Sequence, residues 1–335
     1  MRIHTYGDAS VVREDDAAIP TPSDGQVLVR VAGTSFNPSE IGLRNGWLRG
    51  MFELDLPYTL GWDLAGTVVT PGGPFAAGDR VVGRVDGGAA AEFVAVDPAL
   101  LVLAPRDVPL AHAAALPVAG VTAWQAVFEH ARIASGAEVF VNGGGGGIGG
   151  YAVQLARYAG GRVTATASAR SAATVRALGA HTVHDYTRGA PGGTFDVVIN
   201  LVPVDEPADL VPLVRPSGTI VSVTAPIEPP PGRSIRAVRF VVRNDPGDLA
   251  ALVRLVDDGT VRLDIAAERP LAELPAVHRD AEAGRLRGKT ILVPWSTIRT
   301  ARGGGDQPRP GRGSPGTMSR PGSSSRRSTR PTSPP

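Results

Sequence analysis

Hydrophobic and polar positions change their period along the chain. Up to about residue 100, the apolar residues come in short β-branched runs: QVLVRVAGTSF (26–36), DLAGTVV (63–69), GDRVVGRV (78–85) and AEFVAV (91–96). Gly, Pro and Asp turns divide them, which predicts a strand-rich region curled into a partly closed barrel. The middle then alternates. GAEVFVN (136–142) is a strand. Ile148, Ala152, Leu155 and Ala159 fall at helical spacing, and RVTATA (162–167) is again a strand. A helix over 172–178 leads to strands at 181–186, 195–202, 218–224 and 235–242, with a helical stretch over 209–215. Alternation of this kind predicts an α/β fold with a doubly wound parallel sheet. A helix over 248–257 and a strand over 289–293 are too few for a further domain and are expected to return to the β-rich region. The boundaries that follow are 1–118 plus 245–301 for the β-rich domain, 119–244 for the parallel-sheet domain, and a tail from 302 to 335.

Composition changes the picture in two places. The net charge is +2, but residues 302–335 hold seven Arg and a single acid, Asp306. The tail therefore carries +6, and the overall +2 leaves −4 on the first 301 residues. The tail is also rich in Gly, Pro and Ser. Such a segment buries too little apolar surface to offset its ordering entropy, so disorder is expected there. Seven arginines spread over it, without lysine or aromatic residues, make a weak footprint for nucleic acid. Cysteine is absent, which removes disulfides, thiolate nucleophiles and Cys-ligated zinc. Lys289 is the only lysine beside 33 arginines, read at this level as a coding bias. The first residues, MRIHTYGDASVVRE, lack the apolar run of a secretory leader. The Ala-rich stretch at 111–128 is broken by His112, Pro117, Thr122 and Gln125, so no membrane span and a cytoplasmic setting are expected.

The chemistry is concentrated in VFVNGGGGGIGGYAVQLA, which sets Gly143, Gly146 and Gly149 between a strand and a helix. Small residues there let the backbone turn tightly and approach a pyrophosphate, whose charge meets the free N–H groups of the helix N-terminus. Gly147 and Ile148 lie in the same loop. An NAD site places Asp or Glu at the end of the second strand, to hold the ribose 2′-OH. This chain reads ATASAR, so Ser168 and Arg170 offer a hydroxyl and a guanidinium suited to a 2′-phosphate, and Tyr186 adds a hydroxyl one strand further on. NADPH is the cofactor expected. His181 and His184, three apart on a strand, face opposite sides and make no metal pair.

With these residues in view, the chain resembles the medium-chain dehydrogenase/reductase superfamily, and within it the zinc-free quinone oxidoreductase (ζ-crystallin-like) branch. The likeness runs from about residue 2 to 295. It is carried by FNPSEIGLRNG (36–46), LGWDLAGTV (60–68), GDRVVG (78–83), ALPVAGVTAW (115–124), the glycine loop, ATASAR (165–170), FDVVINLV (195–202) and RLRGKTILV (285–293). The resemblance implies a Rossmann domain inserted into a GroES-like catalytic domain, with the active site in the cleft between them, and a homodimer. It also implies that Asn37 lies near the nicotinamide and the substrate carbonyl, and that Thr122 and Leu201 run along the cofactor. Phe240 and Val241 would contact the carboxamide, and Lys289 a cofactor phosphate. Zinc-dependent relatives carry a Cys in the region of Ser35 to Asn37 and a His-Glu pair at Trp62 and Asp63, so no metal is expected. Asn200 and Pro203 replace the more usual Asp and Gly.

Hydride transfer from NADPH to a quinone, or to the β-carbon of an α,β-unsaturated carbonyl, is the chemistry this implies. Asn37 is the candidate for stabilising developing charge, and Tyr58 or water for delivering a proton. Two other functions stay open: an enoyl reductase acting on carrier-bound biosynthetic intermediates, and an inactive or moonlighting binding protein that uses the basic tail.

Overall fold

Two very short strands open the chain, β1 (Arg2–Ile3) and β2 (Val12–Arg13), paired antiparallel. In β3 (Val27–Ser35), Val27, Val29 and Val31 alternate with less buried neighbours and are fully buried themselves, as a strand with one face on a core requires. The first helix, α1 (Ser39–Asn45), ends where Gly46 turns left-handed, and β4 (Tyr58–Thr59) then joins β1. Four strands complete this part of the chain: β5 (Asp63–Thr70), β6 (Arg80–Arg84), β7 (Phe93–Val96) and β8 (Leu101–Leu103). Helices α2 (Leu110–Ala113) and α3 (Pro117–Trp124) follow, with Pro117 at a helix start, where its missing N–H costs nothing. The computed structural model that gives these elements describes residues 1–51 and 53–294. The tail at 302–335, expected to be disordered, lies outside the described residues.

The middle alternates as its periodicity predicts: β9 (Glu138–Asn142), α4 (Gly147–Tyr158), β10 (Arg162–Ala167), α5 (Ala172–Ala177) and β11 (Thr182–Asp185). Three strands close it, β12 (Phe195–Asn200), β13 (Val214–Ser222) and β14 (Arg236–Arg239). All six pair in parallel in the order β11-β10-β9-β12-β13-β14. This is the doubly wound Rossmann order, whose ligand crevice lies at the carboxyl ends of the strands where the order reverses, between β9 and β12. The helix expected over 209–215 is instead a 3₁₀ turn, Pro207–Leu213, and Val214 already belongs to β13. Pro212, inside that turn, lacks the N–H an α-helix would use.

The chain ends with α6 (Pro246–Asp257), β15 (Ile265–Pro270), α7 (Leu274–Glu282) and β16 (Lys289–Val293). As expected, the last strand returns to the β-rich region, in a seven-stranded sheet of order β15-β16-β3-β5-β6-β8 with β7 also on β3. The described residues form one compact unit. Its largest apolar cluster crosses from Ala65 and Val82 of the β-rich sheet, through α3 and α4, to Val139 and Ile199 of the parallel sheet. Packing at this seam is close: a Cβ on Gly120 of α3 would overlap Leu252 of α6. Among the described residues, no helix is long and apolar enough to cross a membrane.

Candidate active site

The glycine loop starts where β9 ends. Gly143 takes φ +99°, a conformation that L side chains avoid, and its N–H donates to Thr166 Oγ1 at 2.7 Å. The chain doubles back so tightly that a Cβ on Gly149 would overlap the Gly143 carbonyl. α4 then begins at Gly147, after Gly146 and without a side-chain cap, so its N-terminal N–H groups are left for a ligand. Ile148 is half-buried behind them. Backbone approach, helix dipole and absent side chains together fit a dinucleotide pyrophosphate.

A hydrogen-bonded row crosses the carboxyl ends of four strands beside this loop. Thr166 Oγ1 donates to Asn142 Oδ1 at 3.0 Å, and Asn142 Nδ2 donates to Asn200 Oδ1 at 2.9 Å. Asn200 Nδ2 donates in turn to Thr224 Oγ1 at 3.1 Å. Asn200, which departs from the usual Asp, thus serves as both donor and acceptor across the switch point, a pairing of roles that a carboxylate lacks. Leu201 follows it, half-buried, with its N–H on Asn142 O at 3.0 Å.

The residues expected to select the cofactor lie at the ends of the next two strands. Ser168 is half-buried beside Ser171, with 3.3 Å between the hydroxyls. Arg170 is exposed and makes no ion pair among the described residues, and Tyr186 is exposed after β11. Ser168 is thus accessible in part, and Arg170 and Tyr186 are open to solvent. Elsewhere the expected contacts divide. Thr122 is buried, with its hydroxyl on Val118 O, 2.6 Å away in its own helix. Phe240 is buried with its ring 4.2 Å from that of His130, whereas Val241 is exposed.

The β-sheet registers dictate the other half of the site. Gly33 pairs with Ala65, so Ser35 falls opposite Asp63; Ile291 pairs with Ser35, so Lys289 falls opposite Asn37. All four side chains are buried and meet. Asp63 Oδ2 accepts from Ser35 Oγ, from Asn37 Nδ2 at 2.9 Å and from Lys289 Nζ at 3.4 Å. Its other oxygen accepts the Val118 N–H at 2.8 Å, so the carboxylate also caps the start of α3. Lys289 Nζ donates further to Asn37 Oδ1 at 2.9 Å and Phe36 O at 3.1 Å. Glu40 completes the cluster by accepting the Asn37 N–H at 3.2 Å. Burial, together with the nearby Asp63 charge, pushes the Glu40 carboxyl up to about 8, which favours its neutral form.

This arrangement revises several expectations. Asn37 is at the heart of the cluster, but both ends of its amide are engaged by protein groups. Lys289 directs its ammonium into the cluster, with its head enclosed there. Tyr58, the expected proton donor, gives its hydroxyl to the Asp86 carbonyl, and partial burial raises its pKa to about 12, which makes it a weaker acid. Trp62 and Trp124 pack in or against the core, while Trp47 is exposed. Sequence reasoning left Ser35, Glu40 and Asp63 without roles. Glu40 had a signal, because Asn-x-x-Glu before a helix is the spacing of a capping box, and Glu40 makes the reciprocal half of one. Among the described residues, no group of three or more His, Asp or Glu is placed to hold a metal.

A Rossmann-order sheet with a glycine cradle, joined to a β-rich sheet that encloses a buried polar cluster, defines a two-part dinucleotide-dependent oxidoreductase. Comparison with known proteins narrows this. Residues 23–106 match the alcohol dehydrogenase GroES-like domain, and residues 178–292 match the family described as zinc-binding dehydrogenase. The chain is 33% identical over 310 residues to the 2-methylene-furan-3-one reductase of Solanum lycopersicum, covering 86% of this chain and 77% of that protein. It is 29% identical to the chloroplastic NADPH-dependent alkenal/one oxidoreductase of Arabidopsis thaliana, over 86% of this chain and 78% of that one. The solved quinone oxidoreductase from Coxiella burnetii superposes with a TM-score of 0.77 at 29% identity, covering 87% of this chain and 98% of that one. The chain belongs to the quinone oxidoreductase family of the medium-chain dehydrogenase/reductase superfamily.

Proposed function

We propose that the protein is an NADPH-dependent reductase of quinones or α,β-unsaturated carbonyls that works without a metal. The observation that carries this is the juxtaposition of the glycine cradle, open at the carboxyl edge of the sheet, with the enclosed Asn37–Asp63–Lys289 cluster at the seam. Relatives that act on enones and quinones support the substrate class. NADPH, when bound, supplies a hydride. The chain's own residues do the rest. Gly143, Gly146, Gly147, Ile148 and Gly149 receive the pyrophosphate, and Ser168, Arg170 and Tyr186 bind the 2′-phosphate. Leu201, Phe240 and Val241 lie along the course of the cofactor. Water delivers the proton that completes the two-electron reduction, because Tyr58 is committed to Asp86.

Metal independence rests on the chemistry of the donor set. Where Asp63, Asn37 and Ser35 converge, a lysine ammonium already occupies the centre, and its charge repels a divalent cation. The proposal retains the domain division of 1–118 plus 245–301 and 119–244, supported by the two separate sheets, and a homodimer. The test is NADPH oxidation at 340 nm against 1,4-benzoquinone, 9,10-phenanthrenequinone, an enone and a crotonyl thioester, with and without EDTA. Turnover of a quinone or the enone, unchanged by EDTA, is expected. Turnover of the thioester alone would turn the assignment to an enoyl reductase, and no turnover with any acceptor would overturn it.

A further inference from the structure

Lys289 is the only lysine in a chain with 33 arginines. A coding bias accounts for the abundance of arginine but not for the one position that escaped it. The geometry around Nζ does. Three oxygens hold it, Asn37 Oδ1 at 2.9 Å, Phe36 O at 3.1 Å and Asp63 Oδ2 at 3.4 Å, and the residue is only 3% exposed. A compact ammonium with three rotatable donors satisfies such a set. A planar guanidinium, with five donors in a rigid fork, does not. The stem is confined as well, since a Cβ on Gly147 would come within 2.9 Å of Lys289 Cδ. Just before it, Gly288 forms a parallel bridge with Gly146, and its N–H approaches Gly145 O at 3.4 Å. One residue therefore lies against the glycine loop with its stem and grips Asn37 with its head.

We propose that Lys289 is a positioning residue that locks the Asn37 amide and ties it to the cofactor loop, rather than a ligand of a cofactor phosphate. Lysine only donates and a carboxylate only accepts, so Asn37 has one orientation, with Oδ1 toward Lys289 and Nδ2 toward Asp63. Movement of the glycine loop on cofactor binding then reaches Asn37 through a single packed side chain. This rests on the reductase reading above.

The single lysine makes the test direct. Labelling the full-length protein with lysine carrying ¹⁵N at Nζ yields one side-chain ammonium signal, readable without any turnover. A signal protected from solvent exchange at pH 7 is expected, displaced alike by NADP⁺ and NAD⁺. An unprotected signal, or one displaced by NADP⁺ alone, would overturn the proposal. In kinetics, Lys289→Met keeps the stem; its dissociation constant for NADPH should stay within about threefold of wild type while kcat falls at least tenfold. Lys289→Arg should be as slow. The double variant Lys289→Met/Asp63→Asn leaves no unpaired buried charge, so it should regain the Tm that the single variant loses and yet stay slow. Wild-type kcat in the double variant or in Lys289→Arg would reduce Lys289 to a counter-ion and sink the proposal. If wild type itself oxidises no NADPH, the reductase reading falls separately, and the ammonium signal alone decides for or against the locked geometry.

Discussion

Arg170 is exposed at the open end of β10, and Tyr186 stands after β11, its neighbour in the sheet. A charge-assisted hydrogen bond contributes about 1.5–3 kcal/mol, which corresponds to roughly a tenfold to hundredfold change in affinity. Arg170→Ala should therefore raise KM for NADPH by about that factor and leave KM for NADH nearly unchanged. Initial rates with both cofactors check this, and an equal rise in the two would disprove the 2′-phosphate assignment. The positions of these residues, though not their role, were legible in the sequence because each sits just beyond a recognisable strand. Asp63 and Lys289 were visible as residues but not as partners. They are far apart in the chain, and only the registers of β5 and β16 on β3 bring them together. A lysine in a GK pair reads as a phosphate ligand until its neighbours are known.

Among the elements, α4 offers the sharpest test, because two adjacent glycines in one helix differ in what surrounds them. A Cβ on Gly149 overlaps the Gly143 carbonyl, a backbone atom that has nowhere to go. On Gly150 it meets the end of the Leu178 side chain at 3.2 Å and the Asp264 Cβ at an ordinary 3.9 Å. Replacing a helical glycine by alanine gains about 0.5–1 kcal/mol from reduced backbone entropy, whereas overpacking costs about 1–3 kcal/mol. Gly150→Ala should leave Tm unchanged or slightly raised, with NADPH binding intact. Gly149→Ala should lower Tm and abolish the fluorescence change on NADPH binding; equal behaviour of the two would show that the cradle is not closed as described. The strands on either side were readable from β-branched runs alone, and β10 and β16 fall where the pattern put them. α1 and β15 were not assigned, and the hydrophobic pattern alone gave no helix at α7, where the resemblance put His278 at a helical position. α7 shows why: Leu274 and Val277 are buried against Phe36 and Leu292, so its stability comes from the fold rather than from its own sequence.

At the scale of the whole molecule, two buried groups titrate in opposite senses and give the stability of the fold opposing dependences on pH. His278 is enclosed beside the Arg44 guanidinium, and burial with that positive charge lowers its pKa to about 3. Unfolded, it takes a proton below about 6.5, so the stability it contributes is lost as pH falls from there toward 3. Glu40 behaves inversely. Its folded pKa of about 8 exceeds the unfolded value of 4.5, so the folded state keeps a proton that the unfolded chain releases. The contribution is full below about 4.5, declines as pH rises and is gone above about 8. Burial is the first cause of this, and the groups that face Glu40 add to it: Asp63 disfavours a second negative charge, Lys289 only partly offsets it, and Tyr58 bears no charge there. Glutamine at position 40 retains a carbonyl to accept the Asn37 N–H but has no proton to release. Glu40→Gln should therefore match wild type in Tm at pH 4 and exceed it increasingly between pH 5 and 8, with wild type showing a decline that the variant lacks. Thermal melts at half-unit pH intervals measure the difference directly. Parallel profiles for the two proteins would mean that Glu40 is ionised at neutral pH, and that the seam carries two buried carboxylates against one ammonium.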